Sequence, residues 1–156
     1  TKVPGRMEIL KNEKGYVACV DYAHSYLSMS ESFKFLKHEY PDGRLIVVTG
    51  SVGSKAESRR QDIGRALSEY ADVDNYFEDP KKIIQAIRDH IVDPHVEVHE
   101  ILNREEAIKT AFQMARPGDV MFMAAKGREQ FLRENGHDKP YVGDYQLTEQ
   151  LMKAYN

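Results

Sequence analysis

The sequence predicts an α/β fold: a three-layer sandwich with a mostly parallel sheet, an N-terminal hairpin and helices on both faces. Three observations predict it. The apolar period switches between two and 3.6 several times along the chain. Leu45 to Thr49 is a near-continuous apolar run, as in strands buried on both faces of a parallel sheet. The 156 residues, 41% hydrophobic and 30% charged, fit one domain with room for a real core and show no linker or repeat.

Each element follows from its local pattern. Met7 to Leu10 and Tyr16 to Val20 are short apolar stretches joined by the polar Lys11-Asn12-Glu13-Lys14-Gly15, which reads as a hairpin. From Ser28 the period turns helical through Met29, Phe33, Leu36 and Tyr40, with Ser28 and Glu31 at capping-box spacing and Pro41-Asp42-Gly43 as the stop. Leu45 to Thr49 is the next strand. A second helix is expected on Ile63, Ala66, Leu67 and Tyr70, and a weaker strand at Val73 to Phe77. Asp79-Pro80 reads as an N-cap followed by Pro at the first helical position, with Ile83, Ile84, Ile87 and Ile91 as the buried stripe. Val96 to Ile101 alternates as a strand. Asn103 and Glu106 open a fourth helix through Ala107, Ala111 and Phe112, ended by Arg116-Pro117-Gly118. Val120 to Ala125 is the last strong strand, and Thr148 to Tyr155 a terminal helix.

Composition excludes several classes. Six Pro and ten Gly are too few for a low-complexity chain, and a formal charge of −3 exerts no global pull on nucleic acid or anionic lipid. No nucleic-acid or membrane partner is expected. The single Cys19, in an apolar run, reads as a small buried hydrophobe in a reducing compartment. No signal-peptide core or 18-residue apolar window occurs, so a cytoplasmic location is expected. The chain opens on Val3-Pro4-Gly5-Arg6 without an initiator Met, as a piece of something longer would.

Chemistry is expected beyond the carboxyl ends of the strands, where loops converge and helix N-termini offer unpaired N–H groups. Those ends are Asp21 to Ser25, Gly50 to Lys55, Glu78-Asp79 and Lys126-Gly127-Arg128-Glu129. Gly50 to Lys55 lacks the spacing of a Walker A loop and of GxGxxG, and by itself reads as a strand-to-helix turn. Asp21 and His24 read either as an Asp-capped turn or as groups for a ribose, a base or a metal-bound water. His95 and His99 are ~13 Å apart on a strand, so no zinc site is expected. Glu129 reads either as an ammonium-binding group or as a surface partner of Lys126 or Arg128.

Taken in order, VPGRME (Val3 to Glu8), DYAH (Asp21 to His24), Gly50 to Gly64, Ala71-Asp72 and the KGxE segment Lys126 to Glu129 resemble the signatures of the Mur ligase C-terminal domain, closest to its MurE branch. The resemblance spans nearly all of residues 1–156 and implies a Rossmann-like fold. It implies part of an ATP-dependent, ADP-forming amide ligase that adds a third amino acid to UDP-N-acetylmuramoyl-dipeptide through an acyl phosphate, in cytoplasmic peptidoglycan synthesis. Arg6 matches the family's ATP-contacting arginine, Asp21 its partner aspartate, and His24 goes with them. Lys126, Gly127, Arg128 and Glu129 fall on the segment implied to bind the amino-acid substrate.

The resemblance also implies partners. The central ATPase domain, which carries the phosphate loop and most of the Mg²⁺ ligands, and the uridine-nucleotide domain would lie upstream. No catalytic residue is expected within this chain alone, and the isolated chain is expected to be inactive. Three departures stand out. Val52-Gly53-Ser54-Lys55-Ala56 replaces a GGDRD-like run. The DNPR segment that reads the incoming amino acid is missing between Phe77 and Glu78. Ala125 and Arg128 replace the first Gly and the His of GKGHE, as in lysine-adding members. Two other readings remain: a non-catalytic binding module descended from the ligase, and a receiver-like signalling domain built on Asp21, Asp79 and Lys126.

Overall fold

The computed structural model describes residues 6–23, 25–49, 65–66, 69, 73–76, 97–100, 104–124, 126–134 and 137–156. Strands β1 (Glu8–Lys11) and β2 (Val17–Val20) pair antiparallel, Glu8 opposite Val20 and Lys11 opposite Val17. Asn12 closes their turn by accepting the Tyr16 N–H on its side chain at 3.0 Å, and its amide donates to the Met152 carbonyl at 3.0 Å. After helix α1 (Tyr26–Glu39) come β3 (Leu45–Thr49), β4 (Val73–Tyr76) and β5 (Glu97–Glu100). Helix α2 (Arg104–Met114) leads into β6 (Val120–Met123). A small antiparallel pair, β7 (Phe131–Glu134) and β8 (His137–Pro140), then precedes helix α3 (Asp144–Ala154).

The main sheet runs β1-β2-β6-β3-β4-β5, parallel at every pairing except the first. The alternation of strand side chains explains both faces. Val17, Cys19, Leu45, Val47, Val120 and Phe122 point to the layer that holds Met29, Phe33 and Leu36 of α1. Their neighbours Ala18, Val20, Ile46, Val48, Met121 and Met123 face Ala107, Ile108, Ala111 and Phe112 of α2 and Leu147 and Met152 of α3. Two apolar faces per strand are what continuous runs such as Leu45 to Val48 require. Phe33 meets Phe122 edge to face, ring centroids 5.0 Å apart.

The expected sandwich, hairpin and α1 stripe are present, and two helix starts move. α1 starts at Tyr26 because Ser25 is the cap: its hydroxyl accepts the Ser28 N–H, and Ser28 accepts the Ser25 N–H, each at 3.2 Å. The capping box therefore sits one turn earlier than the Ser28 and Glu31 spacing implied. α3 starts at Asp144 rather than Thr148, since Gly143 precedes it at φ +102° with no side-chain cap to mark the start. β4 and β5 lie within the expected runs Val73 to Phe77 and Val96 to Ile101, whose Phe77, Val96 and Ile101 lie outside the described residues, and the β7–β8 hairpin was not foreseen. Of the second helix only residues 65, 66 and 69 are described, all helical, with Ala66 buried on the α1 face. The Asp79-Pro80 helix with its isoleucine stripe, His95 and the loop from Gly50 to Lys55 lie outside the described residues.

The two sheet rims differ. At the amino ends of β3 and β6, Asp119 accepts the N–H groups of Arg44 and Arg116, both at 2.9 Å, together with two guanidinium bonds from Arg44. That rim is stapled shut. At the other rim β6 emerges between β2 and β3, where the strand order reverses.

Candidate functional site

Asp21 follows directly on β2, and its N–H donates to the Met123 carbonyl at 3.1 Å, extending the β2–β6 ladder by one residue. Asp21 is only 3% exposed. Ser32 of α1 donates its hydroxyl to Asp21 Oδ2 at 3.0 Å, whereas Oδ1 has no hydrogen-bond partner among the described residues. A buried carboxylate oxygen left unmatched costs about 1–3 kcal/mol.

That cleft, about 520 Å³, opens between β1 and α1 and is walled by Met7, Ile9, Phe35, Arg6, Asp21 and Ser32 among others. Arg6 is exposed, its guanidinium 5.7 Å from the centroid of the Tyr22 ring. It reaches the cleft through Met7, which adopts φ +44°, a left-handed conformation costing a non-glycine residue about 1–2 kcal/mol. The Met7 sulfur lies 3.7 Å from buried Cys19, which donates to it. Burial, and then the carboxylates of Asp21 and Glu8, push the Cys19 thiol far above its ordinary range. It is packing and no nucleophile.

Arg6 and Asp21, expected together from the sequence, thus line one cleft. His24 lies outside the described residues. Lys126 to Glu129 form a turn that is not among the residues lining this cleft: Glu129 N–H donates to the Lys126 carbonyl at 3.0 Å, and Gly127 takes φ +55°, which glycine adopts without strain. Lys126 and Gly127 are buried and Glu129 is half-buried. Arg128 leans back onto β1, where its Nε and Nη2 meet Glu8 at 2.8 and 2.7 Å, and it stacks 3.9 Å above the Tyr145 ring. Glu8 lies two residues from Arg6, so the turn and the cleft share one stretch of chain.

Sequence reasoning missed the groups behind this rim. Arg104, 1% exposed, forms an ion pair with fully buried Asp144 and also donates to the Ala124 carbonyl at 2.8 Å. The Tyr141 hydroxyl donates to Asp144 at 2.6 Å. Burial and then the Asp144 carboxylate push the Tyr141 hydroxyl far above the phenol range, so it stays a donor. Arginine is almost never buried without a partner, so an arginine at the start of an apolar helix was the only available signal.

A mostly parallel sheet covered by helices on both faces, with a cleft walled by Arg6 and Asp21 beside the end of β2, defines a doubly covered α/β domain. The chain belongs to the Mur ligase family: residues 5–127 match the model of the Mur ligase, glutamate ligase domain. It is 45% identical to the UDP-N-acetylmuramoyl-L-alanyl-D-glutamate--L-lysine ligase of Enterococcus faecalis, over 100% of this chain and 32% of that protein. It is 40% identical to the UDP-N-acetylmuramyl-tripeptide synthetase of Ligilactobacillus salivarius, over 97% of this chain and 31% of that one. A solved UDP-N-acetylmuramoyl-L-alanyl-D-glutamate--2,6-diaminopimelate ligase superposes with TM-score 0.85 at 27% identity, covering 99% of this chain and 32% of the other. The chain spans about a third of the length of the relatives it matches. The receiver-like reading gives way to this family.

Proposed function

We propose that residues 1–156 are the C-terminal domain of an ATP-dependent, ADP-forming amide ligase that adds an amino acid, in the first instance L-lysine, to UDP-N-acetylmuramoyl-L-Ala-D-Glu during cytoplasmic peptidoglycan precursor synthesis. The observation that carries this is the cleft lined by exposed Arg6 and by the buried, half-satisfied Asp21, in a chain of this family. Lysine is favoured by the 45% identity to an L-lysine ligase. No helix among the described residues is long and apolar enough to cross a membrane.

The residues fit a nucleotide. A guanidinium at the mouth can bond phosphate oxygens in pairs and offset their charge, and Asp21 Oδ1 can accept from a ribose hydroxyl. In the reaction a substrate carboxylate oxygen attacks the γ-phosphorus and ADP leaves; the incoming amine then attacks the acyl carbon, phosphate departs, and the amine gives up a proton. In that sequence Arg6 and Asp21 hold and orient ATP, His24 joins them, and Lys126, Gly127, Arg128 and Glu129 face the amino acid. Among the described residues no cluster of three metal-ligating side chains occurs, and Mg²⁺ is assigned to the central ATPase domain of the same polypeptide.

A second reading is a non-catalytic or divergent paralogue acting as a binding module. It is favoured by the lack of a DNPR run in the sequence and by an alignment of 163 columns against a chain of 156 residues, so that the Enterococcus relative carries residues this chain lacks. The test is full-length protein incubated with ATP, Mg²⁺, UDP-N-acetylmuramoyl-L-Ala-D-Glu and single amino acids. ADP release with a product heavier by one lysine residue supports the ligase. Silence with every amino acid supports the binding module instead.

A further inference from the structure

The turn that carries Lys126, Gly127, Arg128 and Glu129 is gripped at both ends by one buried network. On its upstream side, Arg104 Nη2 donates to the Ala124 carbonyl at 2.8 Å. On its downstream side, the Tyr141 N–H donates to the Gln130 carbonyl at 3.1 Å. Both gripping residues then converge on one carboxylate. Asp144 Oδ1 accepts from Arg104 Nε at 2.7 Å and from the Tyr141 hydroxyl at 2.6 Å, and Asp144 Oδ2 accepts from Arg104 Nη2. Arg104 is the first residue of α2 and Asp144 the first of α3, so two helix starts and both flanks of the turn are locked together.

Stability alone does not account for this arrangement. A fully buried ion pair is often no more stabilising than apolar residues of the same volume, because desolvation offsets the Coulomb gain. What the network adds is a fixed position for both flanks of a short turn that is itself closed by the Glu129 N–H donating to the Lys126 carbonyl.

We propose that Arg104, Tyr141 and Asp144 are positioning residues that set the geometry of the 126–129 turn for the incoming amine substrate. The substrate half of this statement rests on the ligase reading; the mechanical half does not. Positioning errors of about 1 Å can cost ~100-fold in rate, so a small displacement of the turn is measurable.

The test uses the full-length protein and the conservative variant Tyr141→Phe, which deletes one hydroxyl and keeps the ring. Hydrogen exchange at the Glu129 amide should accelerate about tenfold while the amides of α1 stay unchanged. In steady-state kinetics KM for lysine should rise about fivefold with KM for ATP within about twofold of wild type. An unchanged Glu129 amide, or an acceleration spread evenly over the domain, overturns the positioning role. Unchanged KM for lysine in an active enzyme overturns it as well. If the wild type transfers no amino acid, the ligase reading fails, and the exchange rates alone decide whether the network holds the turn. Asp144→Asn provides a second variant that keeps the shape of the acceptor and weakens its bond to Arg104.

Discussion

Arg128 and Glu8, 120 residues apart in sequence, form a two-point ion pair at 2.8 and 2.7 Å that ties the turn after β6 to the strand beginning two residues after Arg6. The Arg128 side chain is 42% exposed and that of Glu8 10%. Solvent screening therefore holds its worth near the surface range, about 1 kcal/mol. Arg128→Ala should lower stability by about that amount in urea denaturation, and Arg128→Lys by a similar amount, because an ammonium cannot make both bonds in one plane. A variant indistinguishable from wild type would show the pair to be energetically idle.

Gly43 should tolerate no side chain. A Cβ there would lie 1.9 Å from the Gly118 carbonyl oxygen, which is backbone and cannot swing aside. Gly43→Ala should cost at least ~2 kcal/mol by separating the β3 and β6 starts. Calorimetry reads this directly, and an unchanged Tm would mean that the close approach is absent in solution.

The Asp119 staple should make the fold acid-sensitive. Burial pushes its carboxyl pKa up, but the bonds from Arg44 and Arg116 outweigh this and hold it below the ordinary range. A depressed folded-state pKa contributes stability that is complete above about pH 3.9 and is lost as pH falls through the folded value. Asp119→Asn should flatten the loss of stability between about pH 4 and 2. If the variant shows the wild-type slope there, other carboxylates carry the effect.

Cys19 should be inert in the native protein. It is fully buried, with its thiol pushed far up by burial and by Asp21 and Glu8. A thiol reagent at pH 8 should label it only as fast as the domain opens, and at once in denaturant. Prompt native labelling would contradict the packing of Met7 against it.

Much of this was legible in the sequence. Continuous apolar runs such as Leu45 to Val48 placed the central strands because two covered faces demand them, and the Met29, Phe33, Leu36 stripe placed α1. The order of motifs set Arg6 and Asp21 side by side, and both line one cleft. What stayed hidden depends on tertiary partners. Ser32 sits on the buried stripe as an Asp21 donor, and nothing in its local pattern distinguishes it from a surface serine. Asp144 reads as a loop residue because its helix starts after a glycine and its carboxylate is turned to Arg104, 40 residues away. Nothing in the Met7 to Leu10 run pairs Glu8 with Arg128, which lies 120 residues away.

The most direct test is calorimetric titration of full-length protein with a non-hydrolysable ATP analogue, comparing wild type with Arg6→Ala and Asp21→Asn. Each substitution should weaken binding at least about tenfold, ~1.4 kcal/mol, with Tm preserved in Arg6→Ala. Wild-type affinity in both variants would contradict the assignment of this cleft to the nucleotide.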